Sequence, residues 1–372
     1  MKEWTKFLLL TGAFLVFYAA PIDEPVITQS LGAGISLLQE YARKHVLSCL
    51  VPAFFIAGTI AVYIKEDAVI RLLGPEAKKY IAYPVAGLSG GILAVCSCTI
   101  LPPFTGIYKR GAGIGPAVTF LFTGSAINIT AILLTGGVLG CEFAASRLAA
   151  ALVISVIAGL VMAFVFRDHD RNNAGAAFAT GLQSDPPYSN WLVSTFFVLQ
   201  LAVLIVLGSS LNTLLKTVFI VVGIGAILFV ALFKFWREHD REWMQETWNL
   251  TKKILQYLFV GVFLAGILEV VLPQTFVTTL VGENTLHSNL AASLFGALMY
   301  FATLTEVPII QKLLALGMAK GPALTLLLTG NALSLPSVIV LVKIMGPRQA
   351  TVYVISVVLL SAVAGLLLGT FI

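Results

Sequence analysis

The chain has 372 residues, of which 58% are hydrophobic and only 11% charged, against roughly a quarter charged in an ordinary soluble domain. Water is therefore not its main solvent, and apolar runs long enough to cross a hydrocarbon core of roughly 30 Å recur along its length. The formal charge of +5 does not point to nucleic acid, because Lys and Arg sit in short clusters between apolar runs, where they anchor helices at a membrane surface.

In chain order, hydropathy places apolar segments at 6–21, 46–64, 80–101, 115–139, 143–166, 191–211, 214–235, 254–272, 288–311, 322–344 and 349–371. They predict an all-α integral membrane protein, multi-pass in a cell membrane, with about ten transmembrane helices. The first segment also has the form of a signal peptide before Pro21, and an uncleaved first helix is the expectation. Residues 31–45 are amphipathic, so 1–45 reads as an N-terminal helix and interfacial segment. Residues 167–190, with RDHDRNN and SDPP, make the longest polar stretch, and KFWREHDREW at 234–243 suits a membrane surface. Lys and Arg divide almost evenly between the two faces of such a chain, so charge does not orient it.

The sequence also repeats. GPAVTFLFTGSAIN from Gly115 matches GPALTLLLTGNALS from Gly321 without a gap, a shift of 321 − 115 = 206 residues. At the same shift Gly111 falls on Gly317, Pro102 on Pro308 and Gly90 on Gly296. The expected organisation is a first transmembrane repeat at 46–166, a linker with two connecting helices at 167–253 and a second repeat at 254–372. Duplicated units with Gly/Pro-broken or re-entrant segments at matched places indicate a secondary transporter with its site near mid-membrane. A re-entrant segment would invert the second repeat relative to the first, and the inverted arrangement is the expectation. Duplication reflecting ancestry alone, with Gly serving helix packing, is the competing reading.

The sharpest local motif is GLSGGILAVCSCTILPP from Gly87 to Pro103. Cysteines at i and i+2 diverge on a helix but share a face in extended backbone. Gly90 and Gly91 before them, and Pro102 and Pro103 after them, supply reasons for a helix to break there, as Pro308 does in the second repeat. A pair of thiols suits a soft, polarisable partner better than a hard cation or a sugar. Cys49 and Cys141 are isolated and read as small hydrophobes.

The C-S-C-x3-P arrangement from Cys96 to Pro102, the following GxGPA from Gly113 to Ala117 and the duplicated halves resemble the ArsP/YraQ permease family, whose better understood members export trivalent organoarsenicals. The resemblance covers most of the chain. It implies that Cys96 and Cys98, with Ser97 and Thr99 between and beside them, act as transient ligands for a species such as a methylated As(III). The second repeat carries Ala302 and Leu304 where the first has Cys96 and Cys98, so a symmetric four-thiol site is excluded.

The second half offers Glu306 instead, within ATLTEVP. An ionisable side chain inside an apolar span is costly and by default functional, most simply as a proton carrier; structural pairing with Lys312 or Arg147 is the alternative. Thr123, Ser125 and Asn128 correspond to Thr329, Asn331 and Ser334, and these polar groups either line a pathway or bond between helices. No phosphate-binding loop and no strong metal signature is present in the sequence. The expectation is proton-coupled efflux of a thiophilic small molecule, with no cofactor, no enzymatic activity and no nucleic-acid partner. Protons and membrane lipid are the further partners, and an oligomer stays open. Alternatives are an intramembrane thiol/disulfide redox protein, a channel or adaptor, and a permease for an unrelated small solute.

Overall fold

Lipid offers a peptide backbone no hydrogen-bond partners, so a chain this apolar must satisfy its amides within each segment. The structure, a computed structural model, describes residues 25–43, 46, 50–63, 66–75, 77–93, 99–127, 129–167, 189–208, 213–234, 237–271, 280–300 and 306–372. Among these, every element is helical: α1 (Pro25–Tyr41), α2 (Val51–Tyr63), α3 (Glu66–Leu73), α4 (Lys79–Leu93), α5 (Leu101–Lys109), α6 (Ile114–Ala126), α7 (Ile129–Val138) and α8 (Cys141–Val165). There follow α9 (Asn190–Gly208), α10 (Thr213–Lys234), α11 (Arg237–Val271), α12 (Leu286–Leu298), α13 (Glu306–Ala315), α14 (Lys320–Ala332), α15 (Leu335–Ile344) and α16 (Pro347–Leu368).

Three described helices are long and apolar enough to cross a membrane: α8, the stretch Arg241–Ile267 of α11, and α16. Two more spans arise if α6 and α7, bent by 45°, and α14 and α15, bent by 46°, each count as one. The protein is thus a multi-pass helical membrane protein. The expected first segment at 6–21 lies outside the described residues.

Several expected spans are not single helices. The stretch at 115–139 divides into α6 and α7, 322–344 into α14 and α15, 80–101 holds α4 and the start of α5, and 288–311 holds α12 and the start of α13. The breaking residues also differ from expectation. Gly90 and Gly91 do not end α4, which continues to Leu93. The small size of Gly90 serves packing instead: a Cβ there would stand 2.5 Å from the Phe120 carbonyl oxygen of α6. Pro102 and Pro103 lie in the first turn of α5, and Pro308 in the first turn of α13, where a missing N–H costs nothing because no intrahelical acceptor exists for it. The surface stretch at 234–243 is no loop throughout, since α11 begins at Arg237.

Helices α4 to α8 and α12 to α16 follow in the same order, with bounds displaced by nearly the same interval. The turn before α6 uses Gly111 at φ +85° and that before α14 uses Gly317 at φ +101°. Gly140 at φ +105° precedes α8 as Gly346 at φ +96° precedes α16. A side chain would strain this left-handed backbone, which accounts for glycine at all four places. Contacts correspond too: Thr119 Oγ1 donates to the Ser155 carbonyl at 3.0 Å, and Thr325 Oγ1 to the Ser361 carbonyl at 3.2 Å.

Direction separates the two sets. Helix α8 packs on α16, and residues at the start of α8, Gly140 to Phe143, share a cavity with Ile372 just beyond the end of α16. These corresponding helices therefore run antiparallel. Helix α1 lies along α11, where a Cβ on Gly266 would stand 2.8 Å from Gly34 Cα. A smaller aromatic core joins α2, α9 and α11 through Tyr63, Phe196 and Trp243.

Gly90→Ala is expected to destabilise the detergent-solubilised protein by about 1–3 kcal/mol, as overpacking does in a filled core. Gly296→Ala should cost less, because its Cβ would meet the Gly330 nitrogen at 3.1 Å rather than 2.5 Å from a carbonyl oxygen. Thermal unfolding midpoints of the two variants test this; equal losses would contradict the tighter contact in the first set.

Candidate functional site

Glu306 opens α13, and Arg147 lies in the second turn of α8. Both side chains are fully buried, and Arg147 Nη2 donates to Glu306 Oε2 at 3.2 Å. A carboxylate at a helix N-terminus lies favourably in the helix dipole. The guanidinium gains a second tie: Arg147 Nη1 donates to Thr135 Oγ1 at 2.9 Å, while that hydroxyl gives its own proton to the Ala131 carbonyl at 2.6 Å. Helix α7 thus orients the arginine that α8 carries, and α13 supplies its counter-ion.

The pair is incompletely satisfied. Glu306 Oε1 and Arg147 Nε are buried with no hydrogen-bond partner, and the same holds for Asn331 Nδ2. Asn331 is the penultimate residue of α14, just before the bend into α15, and its amide faces the Glu306 carboxyl without reaching hydrogen-bonding geometry. Four elements, α7, α8, α13 and α14, therefore deliver polar groups to one buried place.

Packing alone does not demand these charges. At the repeat interval Arg147 corresponds to Tyr353 and Glu306 to Ile100, and both of those side chains are buried. The same scaffold position is filled in one set by an ion pair and in the other by an aromatic and an aliphatic residue. A buried ion pair is commonly no more stabilising than well-packed apolar residues of similar volume.

The other sequence candidates divide clearly. Thr123 Oγ1 donates to the Thr119 carbonyl at 2.6 Å and Ser125 Oγ to the Leu121 carbonyl at 2.8 Å, so both are occupied within α6. Such back-bonding to the preceding turn favours bending, and α6 ends immediately afterwards. Thr329 Oγ1 bonds the Thr325 carbonyl at 2.9 Å and meets Ser293 Oγ at 2.9 Å. Ser334 caps α15, accepting from the Ser337 amide at 3.4 Å. Among the described members of this group, Asn331 is the one that faces the buried charges. Thr99 is buried, and the adjoining Ile100 packs against Gly124 at the end of α6. Cys96, Ser97, Cys98 and Asn128 lie outside the described residues, as does Cys49. Cys141 is exposed at the start of α8, not buried as its isolation had suggested, and Lys312 is exposed on α13, away from Glu306.

Sequence reasoning ranked Arg147 only as a structural partner and overlooked Thr135. The available signal was that Arg147 is the one charged residue between Glu142 and Arg167, and charges within spans face protein or cavity rather than lipid. No group of three His, Cys, Asp or Glu side chains suited to a metal ion occurs among the described residues.

Comparison with known proteins agrees with a transport role. The profile of a family described as predicted permease, ArsP_1, matches residues 32–370. The chain is 40% identical over 358 residues to UPF0718 protein MJ0584 of Methanocaldococcus jannaschii, covering 92% of this chain and 97% of that protein. It is 25% identical over 335 residues to UPF0718 protein YraQ of Escherichia coli K12, covering 89% of this chain and 80% of that one. No solved structure matches the chain.

Removing one member of the buried pair, by Arg147→Tyr or Glu306→Ile, is expected to cost about 3–5 kcal/mol by leaving a charge without its counter-ion. The double substitution installs the side chains found at the corresponding positions of the other set and should recover most of that loss. Unfolding midpoints of the four proteins in a double-mutant cycle decide it: additive losses would mean that the two groups are not coupled.

Proposed function

The chain belongs to the ArsP_1 family of predicted permeases, and from that membership, which implies a membrane permease for a small molecule, we propose proton-coupled secondary efflux of a thiophilic solute. Trivalent organoarsenicals are the substrate class, and the cell membrane is the location. The observation that carries the reading is the buried Arg147–Glu306 pair, which joins α8 to α13 across the two sets of corresponding helices.

The halves 46–166 and 254–372 act as inverted repeats, a reading supported by matched helix order, matched left-handed glycines and the antiparallel run of α8 and α16. Alternating access then moves one repeat-based bundle against the other around a site near the bends of α6–α7 and α14–α15. Cys96 and Cys98 are the transient soft ligands, with Ser97 and Thr99 beside them, and thiolate softness selects the cargo. Glu306 exchanges a proton as substrate leaves. With no phosphate-binding loop in the chain, an ion gradient supplies the driving force.

Cells expressing the wild type should accumulate less methylarsenite than empty cells, and Cys96→Ser or Cys98→Ser at equal expression should abolish the difference. In vesicles, a proton gradient should accelerate methylarsenite movement by wild type and leave Glu306→Gln unaffected. Equal accumulation by wild type and empty cells would remove the arsenical assignment; gradient-driven movement by Glu306→Gln would remove that residue from coupling.

A further inference from the structure

We infer that the end of the helix bundle carrying Arg71, Lys78, Lys79, Lys109 and Arg110 faces the cytoplasm, where it meets the anionic headgroups of the inner leaflet, and that the end carrying Cys141 faces out. The inference concerns how the chain sits in its membrane and does not depend on the cargo.

Contacts between helix termini define the two ends. At the first end, the Gly113 amide, between α5 and α6, donates to the carbonyl of Leu73, the last residue of α3, at 2.7 Å. Arg110, just beyond α5, donates to the Ala61 carbonyl in the last turn of α2, and Lys109 pairs with Glu246 in the third turn of α11. Gly115, in the first turn of α6, lies against both Tyr83 of α4 and Ala163 near the close of α8. At the second end, the start of α8 shares a cavity with Met318 and Ile372. There too, Gly321 at the start of α14 lies against Gly365 near the close of α16.

This arrangement sorts the charges as hydropathy did not. Helix α4 enters from the first end and α5 returns to it: Ile100, just before α5, packs on Gly124 near the close of α6, while Lys109 lies back at the terminus. Treating 80–101 as a full crossing puts Lys109 and Arg110 on the face opposite Lys78 and Lys79, whereas the fold puts all four together. Arg167 after α8 and Arg241 near the start of α11 join them. So do Lys343 and Arg348, which flank the turn from α15 to α16, because α16 runs antiparallel to α8. The second end receives Lys312 and Lys320. It also receives Lys216, since α10 starts there and reaches the Tyr63 and Trp243 cluster only at Ala231.

An excess of Lys and Arg close to the ends of spans marks the cytoplasmic side, and Asp and Glu count for little in that rule. The anionic lipids of the inner leaflet attract basic clusters at the surface. Arg71, Lys78 and Lys79 are exposed and open to such contact. Lys78 Nζ lies 5.9 Å from the ring centroid of Tyr80, a residue 72% exposed, and tyrosine rings of this kind sit at headgroup level. The cavity lined by Cys141, Glu142, Met318 and Lys320 then opens on the outer face, the side on which an exporter releases its cargo.

Two measurements on the full chain test this. Cys49→Ser, Cys96→Ser and Cys98→Ser together leave Cys141 as the single thiol. A membrane-impermeant maleimide should label it in spheroplasts and lose most of that labelling in inverted vesicles. With Cys141→Ser added, Lys79→Cys and Arg348→Cys should show the reverse pattern. Labelling of Cys141 chiefly from the cytoplasmic side, or of Lys79→Cys chiefly from outside, overturns the orientation. For the headgroups, the thermal unfolding midpoint of the purified protein in detergent is followed as phosphatidylglycerol, phosphatidylcholine or inorganic phosphate is added. Phosphatidylglycerol should raise the midpoint by several degrees. Arg71→Ala, Lys78→Ala and Lys79→Ala in one chain should lose most of that shift, and Lys78→Arg with Lys79→Arg should keep it. Equal shifts with the two lipids, or a shift reproduced by inorganic phosphate, would overturn the contact with a lipid surface.

Discussion

Arg147 and Glu306 meet where neither can reach water, and that constraint organises the centre of the protein. Each charge taken alone into a low-dielectric interior would carry a desolvation penalty of several kcal/mol, so the position of α8 relative to α13 is tied to their contact. Thr135 fixes the guanidinium from α7, and Asn331 brings the end of α14 to the carboxyl. The bends of 45° between α6 and α7 and 46° between α14 and α15 interrupt those helices close to the polar groups. What lies around the pair is accordingly a junction of helix ends rather than a wall of continuous helices.

Corresponding helices give this junction two similar sides with different chemistry. In the first set, the residues leading into α5 are the C-S-C run followed by Thr99 and Ile100; in the second, α13 opens on Glu306 itself. The two sets of corresponding helices thus differ in side-chain chemistry at matched places, with cysteines in one sequence where the other has Ala302 and Leu304. Small residues make the scaffold possible. Gly115 approaches Gly159, and Gly321 approaches Gly365, so α6 on α8 and α14 on α16 close with backbone nearly touching backbone. In lipid, where apolar side chains gain little by leaving their solvent, such close packing is a principal source of helix association.

Outside the junction the structure follows the bilayer. Helices α9 and α10 leave Val198, Ile205, Val221, Val222 and Phe229 exposed, a surface that suits acyl chains and would be a liability in water. Helix α11 runs 35 residues, about 50 Å at the α-helical rise, longer than a hydrocarbon core, so its charged first turns stand clear of it. Trp243 anchors that end against Phe55 and Phe196, with ring centroids 5.3 Å apart in each case. Thr59 and Gln200 add a buried hydrogen bond of 2.9 Å between α2 and α9.

The sequence by itself determined the solvent, the helical class, the interval between corresponding segments and the prominence of Glu306, because each depends on local composition or on identity at fixed spacing. It also marked where helices would be interrupted, while the structure adds that Gly90 sits in tight α4–α6 packing and that the prolines lie in the first turns of helices, since glycine and proline mean different things at a contact, a first turn and a break. Thr123 and Ser125 read either as pathway groups or as bonds between helices, and in the structure their hydroxyls donate to carbonyls of their own helix. Only the tertiary structure decided that Arg147, 159 positions away in sequence, is the partner of Glu306, that Thr135 and Asn331 converge on the pair, and that α8 and α16 run in opposite directions. Those facts depend on how distant helices are placed against each other, and side-chain partnership across that distance leaves no periodic trace in a single chain.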